Sequence, residues 1–158
     1  QAFVPEFSAS LGLFALFILI FTTMWNTSTQ TFIQETNSIE KQGKYTYNLL
    51  KTTGTPKNWG KTNITVPGLT TNNQKISKEK FLKFKDINTS TKLALLKTQG
   101  YTLNLTYTNN SQVTHKGEKL VDYSTKPPEN KTVYTYTDTL LLDKTGKRAK
   151  LKYATWSQ

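Results

Sequence analysis

The sequence contains no cysteine, one histidine (His115) and one methionine, and it sets ten acidic residues against twenty-one basic ones. Without thiols there can be no disulfide and no thiolate metal centre. A single imidazole, no glycine-rich phosphate loop and no carboxylate pair spaced for proton transfer leave an enzyme with little to work with. Catalysis, a metal and a cofactor are therefore not expected, and His115, in a turn-rich stretch, reads as a surface residue. A further scarcity is positional. Between Glu6 and Glu35 there is no charged residue at all, and no basic residue precedes Lys41.

What fills that uncharged interval is apolar. In residues 7–25 only Ser8, Ser10, Thr22 and Thr23 are neither apolar nor glycine. Nineteen helical residues extend roughly 28 Å, close to the roughly 30 Å hydrocarbon core of a bilayer. An apolar rod of this length must be buried in lipid, in detergent or in copies of itself, because exposed it would drive aggregation. A secretory signal would carry a basic n-region and a shorter apolar core. Gln1 instead opens the chain as though a leader had been removed ahead of the rod. Pro5 suits a first helical turn, and Glu6 there is favoured by the helix dipole. Buried at the rod's edge, that carboxylate would need a cation, and one that every copy supplies is the α-amino group of Gln1 on a neighbour.

Beyond Trp25 the apolar character narrows to a stripe. Phe32, Thr36, Ile39, Gly43, Tyr47 and Leu50 recur at three- and four-residue spacings, as on an amphipathic helix. One helix is expected over residues 5–50, and its weak section is 22–31, where β-branched and hydroxyl residues lower helix propensity. The remainder is rich in Thr (28), Asn (12) and Ser (9), a composition that favours strands and turns. A short strand is expected at 61–66. Two short helices follow, one opened by Ser77 and one closed by Gly100. Strands are expected at 101–107 and 120–124, with a hairpin of 132–142 and 147–156 joined through Asp143 to Gly146 by a type I turn with a glycine bulge. The fold class is α+β: residues 1–52 form a hydrophobic then amphipathic helix, and 53–158 a small antiparallel β-rich head with one or two short helices.

Charge follows this division. Residues 1–50 hold two lysines against three glutamates, and the remaining chain holds 19 basic against 7 acidic groups, so the head alone is basic. The lysines at 51, 57, 61, 75, 78, 80, 83 and 85 read as a solvated face, and specific nucleic-acid recognition is not expected from them. On the last predicted strand, Arg148, Lys150 and Lys152 alternate with Ala149, Leu151 and Tyr153, which places three cations on one exposed face. Six Asn-x-Ser/Thr sequons occur, at Asn26, Asn63, Asn88, Asn104, Asn109 and Asn130. Chance alone would give about three, so N-linked glycans are expected on a translocated head. Asn104, on the polar face of its strand, is the most persuasive position, whereas Asn26 adjoins the rod.

With the rod, Gln1, Glu6 and the long stripe in hand, the chain resembles a mature archaeal type IV pilin, in which a prepilin peptidase cuts just before the apolar segment. The likeness is specific over residues 1–50. The stretches YNLLKTTGTPKNWG and ISKEKFLKF also resemble archaeal pilin-like sequences. The early glutamate of that family stands at the fifth mature position, and here it stands at the sixth, after Pro5. The resemblance implies a homopolymer held together by Gln1, Glu6 and the rod side chains Leu11, Phe14, Phe17, Ile18, Phe21 and Trp25. It also implies a membrane-inserted precursor, pilus assembly machinery, and a cell-surface filament that adheres to host or abiotic surfaces. The competing expectation is a membrane-anchored surface domain or minor pilin-like protein that never polymerises. A third reading, compatible with the first, makes the basic head a binder of DNA or acidic surfaces.

Overall fold

The computed structural model describes residues 3–71 and 75–156; of the side chains at 3–6, 32, 35 and 36 nothing is said. The expectations placed on Gln1 and on the side chains of Glu6, Phe32 and Thr36 lie outside the described residues. The architecture is α+β, an apolar N-terminal helix followed by a small antiparallel head with short helices. Among the described residues, helix α1 (Phe3–Leu50) is followed by α2 (Lys78–Lys85), α3 (Thr89–Leu96) and six strands. These are β1 (Gly100–Tyr107), β2 (Thr114–His115), β3 (Glu118–Lys119), β4 (Val121–Tyr123), β5 (Tyr134–Leu141) and β6 (Arg148–Trp156). A four-stranded sheet runs in the order β4-β1-β6-β5 with every neighbour antiparallel, and β2 pairs with β3 in a separate ribbon. The chain divides into two compact units, Gln1–Ser38 and Ile39–Gln158.

Helix α1 does not melt over residues 22–31. The hydroxyls of Thr22, Thr23, Thr27, Thr29 and Thr31 each donate to a carbonyl three or four residues earlier, at 2.8–3.0 Å. Threonine's χ1 preference allows this back-bonding, so each polar group is satisfied inside the helix that its propensity would weaken.

Within the head, Tyr47 and Leu50 of α1 pack with residues from both short helices and the sheet, among them Phe81, Phe84, Leu96, Leu103, Leu105, Leu151 and Tyr153. Full burial of each such side chain contributes about 1.5–3 kcal/mol. The Tyr47 ring stacks at 5.7 Å on Tyr136 and 6.3 Å on Tyr153, and its hydroxyl donates to the Leu151 carbonyl. Tyr136 Oη donates to the Glu40 carbonyl and Thr46 Oγ1 to that of Leu96. Gly43 makes the close approach possible: a Cβ there would lie 2.8 Å from Thr155 Cγ2 and 2.9 Å from the Tyr136 ring.

Charged groups also enter this core. Lys92 is 3 % exposed and Asp122 7 %. Lys92 Nζ donates to both Asp122 oxygens at 2.8 and 2.9 Å and to the Lys85 carbonyl, while Tyr101 Oη donates to Asp122 Oδ2 at 2.7 Å. Burial, then Asp122, raises the Tyr101 phenol well above its ordinary range. Two lysines expected on a solvated face have structural contacts instead. Lys80 Nζ donates to the carbonyls of Thr53 and Thr70, and Lys51 pairs with Asp138 at 2.6 Å.

Other local expectations change. Residues 61–66 form no strand; only the Thr55–Val66 bridge remains, because Asn63 Oδ1 accepts the Gly60 N–H and bends the chain. Gly100 does not close α3. Lys97, at φ 50°, takes the left-handed position, and Gly100 opens β1, where a Cβ would collide with the Trp156 indole. The turn-rich stretch that holds His115 includes β2. The β5–β6 hairpin forms as expected, but its connection is left-handed at both Lys144 and Gly146, where a type I turn with a glycine bulge needs only the second.

Candidate functional site

Along residues 7–31 every side chain described is exposed, and the window Phe7–Thr31 is long and apolar enough to cross a membrane by length and composition. Leu11, Phe14, Phe17, Ile18, Phe21 and Trp25 range from 46 % exposed at Ile18 to 69 % at Phe17. A helix apolar all round lacks the polar face that water requires, so its surface is suited to a medium other than water. The threonine back-bonds matter here too. An unpaired hydroxyl moved out of water costs about 1–3 kcal/mol, and five hydroxyls in the lower part of the rod are already paired. Phe21 and Trp25 stack at 6.3 Å, forming an aromatic step where the rod begins to carry Asn26 and the threonines. At Gly12 a Cβ would meet nothing within 4 Å.

The sequons separate into distinct geometries. Asn63, Asn88, Asn109 and Asn130 are exposed in loops or at an element's edge. Asn88 caps α3: its Oδ1 accepts from both the backbone N–H and the hydroxyl of Ser90, the third residue of the sequon. Asn109 repeats that arrangement with Ser111. Asn104 is half-buried in β1 between β4 and β6, and its Oδ1 accepts from Gln112 Nε2 at 3.0 Å. It is on the polar face, as its alternation implies, but is more enclosed than the loop sequons. Asn26 is an exposed residue of α1.

His115 is half-buried in β2, and its Nε2 is enclosed with no hydrogen-bond partner, which corrects the expectation of a surface residue. It lines a cavity with Ser77, Glu79, Asp143 and Lys144. Lys144 bonds Glu79 at 3.1 Å and holds that carboxyl below its ordinary range. The pair that sequence reasoning missed, Lys92 with Asp122, left no pattern to find. Lys92 belongs to a short helix whose other polar residues are exposed, and nothing in STKLALLKTQ marks it as the inward one.

Arg148, Lys150 and Lys152 alternate with the buried Ala149, Leu151 and Tyr153 as expected, with Arg148 and Lys152 exposed and Lys150 half-buried. Comparison of the chain with protein-family models, with characterised proteins and with solved structures finds no match.

Proposed function

We propose that this chain is the structural subunit of an extracellular type IV pilus-like filament, polymerising through its apolar N-terminal helix. The observation that carries the reading is a helix whose residues 7–21 are apolar or glycine apart from Ser8 and Ser10, continued to Thr31 by a section in which five threonine hydroxyls bond back into the helix, on a chain whose head has its own closed core. Such a rod can rest in lipid and then exchange lipid for neighbouring rods, because neither medium leaves those hydroxyls unpaired. Heads with loop sequons at Asn63, Asn88, Asn109 and Asn130 would coat the outside, carry N-linked glycans and make the adhesive contacts. Gln1 and Glu6 are assigned to the contact between copies. Prepilin peptidase and assembly machinery are the partners this life history requires, and no catalytic role is assigned to the chain itself.

Deletion of residues 1–25 tests the reading. The truncated chain should be a soluble monomer that forms no filaments. Filaments assembled without the rod would refute the proposal. Wild-type material found only as discrete membrane particles in negative stain would favour a membrane-anchored domain that does not polymerise.

A further inference from the structure

The four-stranded sheet has one face on the core and one face turned away from it, and the second face has an unusual charge pattern. Along β6, Arg148, Lys150 and Lys152 point outward at two-residue intervals, about 6.6–6.8 Å apart. The register brackets two of them with hydroxyl or amide groups. Lys152 stands between Asn104 on β1 and Thr137 on β5, and Lys150 between Thr106 and Thr139. No strand position on this face is an acid. The sheet's two carboxylates lie on the other side: Asp122 is aligned with Leu103 and bonded to Lys92, and Asp138 is aligned with Leu151 and bonded to Lys51.

The three cations therefore have no anionic partner among the described residues, whereas Lys51, Lys61, Lys85, Lys92 and Lys144 are all paired. The one polar contact among the three is Lys150 Nζ to Asn110 Oδ1 at 3.2 Å. At the β4 edge, Tyr123 adds an exposed aromatic ring, 65 % accessible, opposite Thr102.

We propose that this face is a docking surface for an anionic polysaccharide. Unneutralised cations in a row supply the charge complementarity, and rows of hydroxyl and amide groups that both donate and accept match sugar hydroxyls. A nucleic acid fits less well. Single strands are held in grooves by several stacking aromatics, and duplex reading needs a helix or ribbon in the major groove. This face is a broad sheet with one aromatic at its edge.

The test uses the full chain in a neutral detergent. Its binding to immobilised polygalacturonate is compared with binding to dextran, which is uncharged, and to oligothymidylate. Two triple variants remove the same charge: R148Q/K150Q/K152Q on the face, and K57Q/K126Q/K131Q at exposed positions elsewhere. The wild type should prefer polygalacturonate to both other probes at about 0.15 M salt. The face variant should lose about tenfold or more in affinity and the control less than about threefold, with the salt slope falling by roughly one for each contacting cation removed. Equal losses in both variants would reduce the effect to net charge and overturn the proposal, as would tighter binding to oligothymidylate or no binding to polygalacturonate. If the triple face variant does not fold, Arg148→Gln and Lys152→Gln are read singly at these exposed positions, and the absence of any loss in either overturns it.

Discussion

Gly12 and Gly43 are in the same helix and ask opposite things of it. A Cβ at Gly12 would meet open space, and one at Gly43 would press into Thr155 and Tyr136. The same contrast separates the two halves of α1 in every respect. The N-terminal half satisfies its threonines internally and presents apolar side chains outward. The C-terminal half directs its polar groups into the head, through Thr46 to Leu96 and Tyr47 to Leu151, and Lys51, the residue after the helix, bonds Asp138. One secondary structure thus carries two surfaces: the first is left exposed by the chain, and the second is covered within it.

The comparison breaks most visibly if a charge enters the first surface. Phe17→Lys should abolish filament assembly and weaken membrane insertion by about 2.5–3.5 kcal/mol, on the order of a hundredfold. The head's melting transition should remain unchanged, which calorimetry of the detergent-held chain would check. A charge removed from the core of the head does the reverse. Lys92→Met leaves Asp122 buried without its cation and should destabilise the head by about 3–5 kcal/mol in urea titration, with the rod's helicity intact by circular dichroism.

Alkali acts on the head alone. Burial pushes the Tyr153 phenol from 10.0 up to about 12, and Tyr47 shifts in the same direction for the same cause, with Asp138 adding to it. Because the folded state holds these protons more tightly than the unfolded chain, their stabilisation is fully present below pH 10 and is lost as pH rises toward 12. Tyr153→Phe should lessen the stability lost over that window by about 2–3 kcal/mol. At neutral pH it should cost about 1 kcal/mol or less, since the buried hydroxyl makes no hydrogen bond of good geometry and only the hydroxyls of Thr155 and Thr98 act on it. Thermal melts of wild type and variant from neutral pH upward would show this.

The smallest effect sharpens the contrast best. Gly43→Ala gains helix propensity but crowds Tyr136 and Thr155, for a net loss of about 1–2 kcal/mol in the head. Gly12→Ala should leave the head unaffected and raise the helicity of the isolated rod peptide in detergent, by about 0.5–1 kcal/mol. Equal effects at the two sites, measured by urea titration and circular dichroism, would contradict the division.

Much of this was legible because period is a local property. The rod announced itself by composition, and the stripe through Ile39, Gly43, Tyr47 and Leu50 marked the face that the head covers. The alternation in β1 and β6 marked which of their side chains enter the core. Illegible features depended on partners distant in sequence. Gly100 looks like a helix stop until Trp156 is placed over it. KTNITV alternates like a strand, yet no strand pairs along it. Lys51, Lys80 and Lys92 look like solvated lysines, and their acceptors lie 87, 27 and 30 residues away. Threonines 22–31 mark a section of low helix propensity, and what the sequence leaves open, whether the helix continues through it, is answered only by the structure, where their hydroxyls bond back to carbonyls of α1.

The most direct measurement of the central claim is an image of the native assembly at a resolution that separates helices. The account predicts filaments whose core is a bundle of residues 7–31 from many copies, with Leu11, Phe14, Phe17 and Phe21 against neighbouring rods and no lipid between them. Isolated helices each ringed by lipid, or filaments built from head contacts with the rods outside the core, would contradict it.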